Sequence, residues 1–339
     1  MVLTRFISVV IPVRNESRHI SRVLDSLIVQ RYPAEKFEII VVDGCSTDST
    51  RELVDEYVVK YSDRVCLFTN EKRLSSAARN IGVLHSRGDI ILIIDGHCII
   101  ENVDMFERIN VSFEESGADC LGRPQPLEMK NATLLQWAIA ICRRSRLGHH
   151  PDSYIYSDRG GFTPAISVAV VYKSDIFKQV GLFDENFDAC EDVELNYRID
   201  AAKLRCYFEP SIAVRYVPRA AFSSLGVQMF RYACGRVRLY RKHSDTFSIK
   251  SFGLGFFVLG IILGFCVSLL DICFWGGGYF LRIYCAVLFL YLLIVLVESV
   301  RLSFVHRKLS ILVLLVSVFL TIHFSFGSGI IREMLRYKK

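Results

Sequence analysis

An aspartate and a histidine, Asp95 and His97, stand two residues apart where a buried strand is expected to end. The apolar run 90–94 before them is typical of a strand buried on both faces of a parallel sheet. Ligands of open α/β sheets bind outside the carboxyl ends of such strands. Because the chain turns over Gly96, a carboxylate and an imidazole can both reach one divalent cation and leave positions for phosphate oxygens. An Asp-Gly turn with an incidental histidine is the alternative for this motif alone.

Hydrophobic periodicity predicts the elements that position this motif. Strands are expected at 6–11, 37–42, 64–68 and 90–98, with helices at 16–30, 49–61 and 75–87 between them. This alternation predicts an α/β fold with a doubly wound, mainly parallel sheet and flanking helices. No G-x-G-x-x-G follows the first strand, and no G-x-x-x-x-G-K-[ST] occurs, which argues against an ordinary dinucleotide-binding or P-loop enzyme.

Further polar residues are predicted at the same carboxyl edge. Asn15 and Glu16 follow the first strand, Asp43 ends the second, and Arg79 lies on the helix before the fourth. Each one alone fits a cap or a turn. Their convergence on one edge predicts a binding site there.

A second acidic group occurs much later in the chain. Glu191, Asp192 and Glu194 lie where a helix is expected to begin near Asp192, because carboxylates favour the N-terminal end of the helix dipole. Between the two groups we expect helices up to about residue 115 and at 131–144, a mobile loop at 147–161 and a strand at 165–172. An acidic first helical turn without chemistry is the alternative for this stretch alone.

The C-terminal part of the chain predicts a membrane region. Apolar residues make up 52% of the sequence and are concentrated after residue 251, in runs at 252–270, 279–297 and 309–326. The first two runs are long enough to span a bilayer. Gly327, Gly329 and the polar His323 favour a re-entrant or interfacial segment for the third, although a third span is the alternative.

The net charge of +6 arises from the segment before these runs. Residues 215–250 contain eight Lys/Arg and a single acidic residue, Asp245. The stretch 225–243 mixes these cations with apolar residues, which predicts a basic amphipathic helix at an anionic membrane surface. An ordinary solvated basic helix is the alternative. A nucleic-acid partner is not expected, because apolar spans begin directly after this segment.

Compartment and orientation are also predicted. The eleven cysteines form no C-x-x-C pair, so neither a disulfide framework nor a zinc site is expected. The N-terminal apolar stretch is too short for a signal peptide. Basic residues before the first span, and at Arg301, Arg307 and Lys308 after the second, place both ends of this hairpin in the cytosol.

Several motifs together carry a family resemblance. They are S-V-V-I-P-V-R-N-E at 8–16, V-V-D-G-C-S-T-D-S-T at 41–50, A-R-N-I-G at 78–82, G-D at 88–89, D-G-H at 95–97 and E-D at 191–192. With this order and spacing, residues 5–243 resemble glycosyltransferase family 2, and within it the membrane-bound exopolysaccharide transferases of the succinoglycan type. The resemblance implies the GT-A fold and an inverting, metal-dependent hexosyltransferase.

The resemblance also implies residue roles. Asp192 is the expected general base, and Asp95 and His97 are the expected ligands of Mg²⁺ or Mn²⁺. The residues expected at the nucleotide-sugar are Asn15, Glu16, Asp43, Arg79 and Asp95. The residues expected at the acceptor are Gly161, Phe162, Glu191, Glu194, Gln228, Arg231 and Tyr232.

The implied partners are a nucleotide-sugar, with a UDP-sugar expected first, a lipid-linked glycan acceptor and other polysaccharide-assembly proteins. The implied location is the plasma (inner) membrane, with the catalytic domain in the cytoplasm. We expect a transferase domain at 1–220, an interfacial helix at 221–250 and a transmembrane region at 251–339.

Three departures from the family pattern leave alternatives open. Asp43-Gly44-Cys45-Ser46 stands where Asp-Asp-Gly-Ser is usual, the metal motif is D-x-H, and Gln228 to Tyr232 read Q-x-x-R-Y instead of Q-x-x-R-W. The first departure removes a carboxylate that the family often uses on the nucleotide base, so the identity of that base stays open. The last departure weakens the prediction of processive synthesis. Sugar transfer directly to polyprenyl phosphate, or a non-catalytic transferase-like assembly subunit, are the alternative functions.

Overall fold

The computed structural model describes residues 3–148, 154–275 and 278–336. The chain forms two compact units, and each is built from two separate stretches. Met1–Glu128 and Asp152–Val217 make the first unit, and Met129–Pro151 and Pro218–Lys339 make the second. Part of the predicted loop at 147–161, residues 149–153, lies outside the described residues.

The first unit is organised around a sheet of eight strands, in the order β3-β2-β1-β4-β8-β6-β9-β7. A separate antiparallel pair joins β5 to β10. The strands are β1 Ile7–Val13, β2 Phe37–Asp43, β3 Val65–Thr69, β4 Ile90–Ile93, β5 Cys98–Ile99, β6 Cys120–Gly122, β7 Gly161–Thr163, β8 Ala169–Lys173, β9 Cys206–Phe208 and β10 Arg215–Tyr216.

Eleven α-helices accompany the strands in the described chain. They are α1 Ile20–Ile28, α2 Thr50–Lys60, α3 Ser75–His85, α4 Met105–Ser116, α5 Leu134–Arg144, α6 Asp175–Val180, α7 Glu191–Ala201, α8 Phe222–Lys242, α9 Ile249–Leu270, α10 Tyr279–Val305 and α11 Leu312–Leu335. Helices α5 and α8–α11 belong to the second unit, and the others belong to the first.

The four predicted strands form the parallel half of the sheet. β2, β1 and β4 pair in parallel, and β3 extends the same pattern beside β2. β1 and β2 are apolar along almost their whole length because both faces of the sheet are covered. From β8 onward antiparallel pairs enter, so the sheet is mixed but mainly parallel on the side that carries the first polar group. This confirms the predicted α/β fold class.

The helices of the first unit bury the faces that the periodicity predicted. α1 buries Ile20, Val23, Leu24 and Leu27, which recur at helical spacing. α1 is shorter than the predicted 16–30 because residues 16–19 form the turn that enters it, where the carbonyl of Glu16 accepts from the amide of Ile20. The predicted strand at 165–172 is a short 3₁₀ turn followed by β8.

The second unit contains three helices that are long and apolar enough to cross a membrane. By length and composition these candidate spans are Ser251–Phe274, Tyr279–Val305 and Leu309–Leu335. Most large apolar side chains of the first two are exposed, which is the pattern of helices that face lipid, whereas more of those in the third are buried. These three helices therefore support the membrane association that the apolar runs predicted.

The third apolar run, predicted as a re-entrant or interfacial segment or as a third span, forms one continuous helix. α11 continues through Gly327 and Gly329 without a break. A Cβ atom on Gly327 would lie 2.4 Å from Val258 Cγ2, and one on Gly329 would lie 2.5 Å from the carbonyl oxygen of Phe230. The glycines therefore allow α9 and α8 to pack closely against α11, as small residues do in membrane helices.

Candidate active site

The Asp95-Gly96-His97 turn lies directly after β4, at the carboxyl end of the parallel half of the sheet. The amide of Ile94 still pairs with the carbonyl of Val10 on β1, at 3.1 Å. The amide of Cys98 then donates to the Asp95 carbonyl at 3.3 Å, which closes the turn before β5. The predicted strand 90–98 is thus β4, a turn and β5, and the polar side chains occupy the turn.

Both carboxylate oxygens of Asp95 have partners. Arg79 Nη2 lies 3.5 Å from Oδ1, and the hydroxyl of Tyr216 donates to Oδ2 at 3.0 Å. Burial alone would raise the pKa of Asp95, but the Arg79 charge and the Tyr216 hydrogen bond hold it below its usual range. Asp95 is therefore an anion with a fixed orientation at neutral pH.

His97 is held by a carboxylate from the loop after β1. Its Nδ1 lies 3.0 Å from Oε1 of Glu16. The imidazole ring also meets the ring of Tyr216 edge-on, with the centroids 5.8 Å apart. Glu16 is predicted at the nucleotide-sugar, and in the structure its carboxylate contacts His97.

The loops after β1 and β2 interlock at the same edge. The amide of Gly44 donates to the carbonyl of Val13 at 2.8 Å, and Asn15 Oδ1 accepts from the amide of Thr47 at 2.8 Å. Asn15 adopts a left-handed conformation, with φ of 58°, and its residue is exposed. The structure therefore brings Asn15 and the loop after β2 together.

Asp43 is buried at the end of β2 and is engaged by its own loop. The hydroxyl of Ser46 donates to its Oδ1 at 2.5 Å, and Arg51 Nη1 lies 3.6 Å from its Oδ2. With 2% of the residue exposed, Asp43 shapes the loop that follows β2. Gly44 stands where the family pattern has a second aspartate, so this chain lacks that carboxylate.

Arg79 joins the two acidic groups of the sequence. Its guanidinium lies 3.5 Å from Asp95 and, through Nη1, 3.2 Å from Glu191 Oε1. It also stacks over the ring of Phe183 at 5.5 Å. Arg79 is 9% exposed, and its neighbouring carboxylates outweigh the effect of burial and raise its pKa, so it stays charged. Burial raises the pKa of Glu191, and Arg79 opposes that shift.

Helix α3 also fixes the loop that precedes α7. Asn80 Nδ2 donates to the carbonyl of Phe183 at 2.9 Å, and its Oδ1 accepts from the Phe183 amide at 2.9 Å. The hydroxyl of Ser76 donates to the Phe187 carbonyl at 3.0 Å. The start of α7, with Glu191 and Asp192, is therefore attached to the helix that carries Arg79.

Asp192 and Glu194 have different surroundings at the start of α7. Asp192 is partly exposed, and its Oδ1 accepts from the amide of Val193 at 2.8 Å. Glu194 is fully buried and accepts from Arg198 Nη2 at 2.7 Å, while Arg198 also donates to the Leu182 carbonyl. Glu194 was expected at the acceptor, but its burial and its pairing with Arg198 correspond to a structural ion pair that closes the α6–α7 loop.

The other residues expected at the acceptor lie in two places. Gly161 and Phe162 are on β7, where the Phe162 side chain is 57% exposed and Arg205 stacks over its ring at 5.1 Å. The remaining three, Gln228, Arg231 and Tyr232, are on α8 in the second unit. There Gln228 Nε2 donates to the hydroxyl of Tyr232 at 3.1 Å.

Two residues at this edge were missed in the sequence. Tyr216 lies in the two-residue strand β10, which has no periodic signal, and it reaches Asp95 across 121 residues of chain. Arg123, in Gly-Arg-Pro after β6, is 1% exposed and donates to the Ile93 carbonyl at 3.2 Å. A buried arginine beside a strand end is unusual, but its burial cannot be read from the sequence.

The donor set at the turn fits a magnesium- or manganese-type ion. In the described ranges 3–148, 154–275 and 278–336, no group of three or more His, Cys, Asp or Glu side chains is arranged to hold a metal. Mg²⁺ in nucleotide sites is usually bound through one or two carboxylates, with waters and substrate phosphates completing its shell. One carboxylate and one imidazole are therefore sufficient, provided that a diphosphate supplies the other oxygens.

Comparison with known proteins supports the assignment of the fold and the family. A family model described as "Glycosyl transferase family 2" matches residues 8–162. The succinoglycan biosynthesis protein ExoA of Rhizobium meliloti is 31% identical over 69% of this chain and 70% of its own length. A dolichyl N-acetyl-alpha-D-glucosaminyl phosphate 3-beta-D-2,3-diacetamido-2,3-dideoxy-beta-D-glucuronosyltransferase of Methanococcus voltae is 27% identical over 98% of this chain and 99% of its own length.

A solved structure resembles the chain over almost its whole length. It is the mannosyltransferase PcManGT from Pyrobaculum calidifontis in complex with GDP-Man and Mn²⁺, with a TM-score of 0.60. The similarity covers 98% of this chain and 88% of that one, at 15% sequence identity. At this identity the similarity concerns the fold alone.

Proposed function

Because the chain belongs to glycosyltransferase family 2 and has the GT-A fold, we propose that it moves a hexose from a nucleotide-sugar to a lipid-linked glycan, with inversion. The family supports the reaction class. The name of the Methanococcus voltae relative, which specifies a dolichyl-phosphate-linked sugar, supports a lipid-linked acceptor. The three apolar helices support an enzyme held at the membrane where such acceptors are found.

The observation that carries this proposal is the bridge made by Arg79. Through one buried guanidinium it joins Asp95, at the proposed donor diphosphate, to Glu191, which directly precedes Asp192. Donor binding and acceptor activation must occur at one place for a single displacement. The bridge links the residues proposed for both tasks.

Asp192 is the proposed general base. It is partly exposed, whereas Glu191 is paired with Arg79 and Glu194 with Arg198. Asp192 takes the proton of the acceptor hydroxyl while that oxygen bonds to the anomeric carbon, and the nucleoside diphosphate leaves from the opposite face. General-base catalysis of this kind contributes about 10²- to 10⁴-fold to the rate.

Asp95 and His97 are the proposed ligands of Mg²⁺ or Mn²⁺. When bound, the cation supplies Lewis-acid stabilisation of the departing diphosphate. The imidazole ligand favours Mn²⁺ over Mg²⁺, because nitrogen ligands suit softer ions. Asp95 contributes an oriented anion, since Arg79 and Tyr216 fix both of its oxygens.

The remaining roles extend this proposal. Asn15, Asp43 and Arg79 line the nucleotide side, where a UDP-sugar is the first candidate donor. For the acceptor side we retain Gly161, Phe162, Glu191, Gln228, Arg231 and Tyr232, and we replace the acceptor role of Glu194 by a structural one. We further propose a plasma (inner) membrane location with the catalytic unit in the cytoplasm and with polysaccharide-assembly proteins as partners.

The test is donor hydrolysis and transfer by the detergent-solubilised full chain. UDP-, GDP- and dTDP-sugars are screened with Mn²⁺ or Mg²⁺ and a lipid extract, beside His97→Ala. We expect one nucleoside diphosphate to be released in a metal-dependent way and the release to be lost in the variant.

Other outcomes of this screen would change the proposal. Turnover with a bare polyprenyl phosphate would identify that lipid as the acceptor. Donor binding without turnover in any lipid extract would favour a non-catalytic assembly subunit. If no nucleotide bound at all, the proposed donor site at the strand ends would be wrong.

A further inference from the structure

The contact between His97 and Glu16 constrains which nitrogen of the imidazole can bind a cation. His97 Nδ1 lies 3.0 Å from Glu16 Oε1. An ionised carboxylate only accepts hydrogen bonds, so Nδ1 carries the proton in this contact. In the neutral imidazole the lone pair is then on Nε2. The contact therefore selects one tautomer of His97.

Glu16 is itself fixed by the loops beneath it. Its amide donates to Thr50 Oγ1 at 2.7 Å, and that hydroxyl donates to Asp48 Oδ1 at 2.5 Å. Its carbonyl accepts from the amides of His19 and Ile20 at the entry to α1. These bonds set the position of the Glu16 backbone before any ligand binds.

Gly96 allows the turn to approach Glu16 this closely. A Cβ atom on Gly96 would lie 2.8 Å from Val13 Cγ1 and 3.3 Å from Glu16 Cγ. The glycine between Asp95 and His97 is therefore packed against the segment that carries Glu16. The close approach places the imidazole within reach of the carboxylate.

The imidazole of His97 is also in contact with Tyr216. Its ring meets the His97 ring edge-on, and its hydroxyl donates to Asp95 Oδ2. One tyrosine thus contacts both proposed metal ligands. The orientation of the His97 ring is limited by Glu16 at Nδ1 and by this aromatic contact.

We propose that Glu16 is a positioning residue that fixes the tautomer and orientation of His97, so that Nε2 is presented to a divalent cation. Histidine ligands commonly donate their second ring N–H to a carboxylate, and loss of that partner weakens metal binding by about 10- to 100-fold. The inference rests on the proposed function, because it requires the metal site at Asp95 and His97. It changes the proposed role of Glu16 from contact with the nucleotide-sugar to positioning of the metal ligand His97.

The test measures Mn²⁺ binding to the full chain in detergent, with UDP present, from the free-ion signal in electron paramagnetic resonance. Three variants separate the effect of side-chain length at residue 16 from the effect of its charge. Glu16→Gln keeps an acceptor at the same distance but loses the charge. Glu16→Asp keeps the charge but is one methylene too short for the 3.0 Å contact. Glu16→Ala removes both, and Glu56→Ala, on the exposed face of α2, is the control.

We expect the Mn²⁺ affinity to depend on whether the side chain at residue 16 is long enough to contact His97 Nδ1. Glu16→Ala and Glu16→Asp should bind about 10- to 100-fold more weakly, and Glu16→Gln should stay closer to the wild type. If Glu16→Asp kept the wild-type affinity and Glu16→Gln lost it, Glu16 would act through its charge and the positioning role would be overturned. Wild-type affinity in all three variants would also overturn it.

The failure of this inference differs from the failure of the proposed metal site. If the wild type bound no Mn²⁺ in the presence of UDP, or if His97→Ala bound it as well as the wild type did, the metal site itself would be wrong. If His97→Ala lost Mn²⁺ binding while all Glu16 variants kept it, only the role of Glu16 would be wrong.

Discussion

At the scale of single residues, the start of α7 separates three carboxylates that the sequence presents alike. Glu191 is paired with Arg79, Glu194 is buried against Arg198, and Asp192 remains partly exposed. Chemistry with an external hydroxyl requires an accessible carboxylate. This difference in environment selects Asp192 as the proposed base.

The first prediction concerns Asp192→Asn. The amide keeps the size of the side chain but cannot take a proton, so the rate of transfer should fall by about 10²- to 10⁴-fold. UDP binding should stay within a few-fold of the wild type, because Asp192 is not proposed to contact the nucleotide. Turnover numbers and calorimetric UDP affinity measure the two effects. Asp55→Asn, on the exposed face of α2, is the control, and an undiminished rate in Asp192→Asn would contradict the assignment.

The second prediction concerns Tyr216→Phe, which removes the hydroxyl bonded to Asp95 at 3.0 Å. Hydrogen bonds to charged groups contribute about 1.5–3 kcal/mol, so kcat/KM should fall by roughly ten- to a hundredfold. Tyr57→Phe is a matched control, because the Tyr57 hydroxyl donates to the carboxylate of Asp25 outside the site. Equal effects in both variants would mean that Tyr216 contributes to stability alone.

At the scale of elements, Asp48, just before α2, links the loops that carry the site. Asp48 accepts from the amides of Ser17 and Thr50 and from the Thr50 hydroxyl. Partial burial opposes ionisation, but these hydrogen bonds lower the pKa of Asp48 to about 2, from an ordinary 3.8. The loop after β1 and the start of α2 are therefore joined by one ionised side chain.

The third prediction follows from this depressed pKa. A group whose pKa is lower in the folded state stabilises the fold above its unfolded pKa, and the stabilisation is lost as the pH falls through the folded value. Asp48→Ala should therefore lower the unfolding temperature in detergent at pH 7, and its difference from the wild type should shrink between pH 3.8 and about pH 2. Asp55→Ala is the exposed control. A difference that stayed constant across this pH range would show that the charge of Asp48 is not responsible.

The second unit has its own packing requirement, at the crossing of α11 with α9. A Cβ atom on Gly327 would lie 2.5 Å from the carbonyl oxygen of Leu254 as well as 2.4 Å from Val258. Backbone cannot move aside as a flexible side chain can. The absence of a side chain at Gly327 therefore allows α9 and α11 to approach each other closely.

The fourth prediction compares two glycines of these helices. Gly327→Ala should destabilise the protein by about 1–3 kcal/mol, the usual cost of overpacking. Gly253→Ala on α9, where an added Cβ meets nothing within 4 Å, should be neutral or slightly stabilising. Thermal unfolding in detergent measures both. Equal unfolding temperatures for the two variants would contradict the close packing.

At the scale of the whole molecule, the chain combines a nucleotide-sugar transferase fold with three apolar helices. Basic residues precede α9; Arg301 lies near the C-terminal end of α10, and Arg307 and Lys308 follow it. From the positive-inside rule we expect both ends of the α9–α10 hairpin in the cytosol. Its connection, which includes Gly278, is then expected on the opposite side.

The fifth prediction tests this orientation. In a background without reactive thiols, Gly278→Cys should react with a membrane-impermeant maleimide added outside intact cells, and Lys308→Cys should react only after the cells are opened. The reason is the cost of carrying the basic end of α10 across the bilayer. Labelling of Lys308→Cys from outside would reverse the proposed orientation.

The sequence by itself determined the parallel half of the sheet, the place of the Asp95–His97 turn and the existence of three C-terminal apolar runs. These features depend on local periodicity, since a run of apolar residues specifies a buried strand or a membrane helix regardless of its neighbours. Continuous burial of β1, β2 and β4 follows directly from their composition. The convergence of loops at one sheet edge follows from parallel strand direction.

Only the tertiary structure decided which polar side chains pair at that edge. Tyr216 and Asp95 are 121 residues apart, and Glu16 and His97 are 81 apart, so no local pattern contains either contact. The burial of Glu194 depends on Arg198 and the loop it closes, and the close crossing of α11 with α9 depends on the absence of a side chain at Gly327. Periodicity reports which face of an element is apolar, whereas the roles of polar residues depend on partners that folding brings from distant parts of the chain.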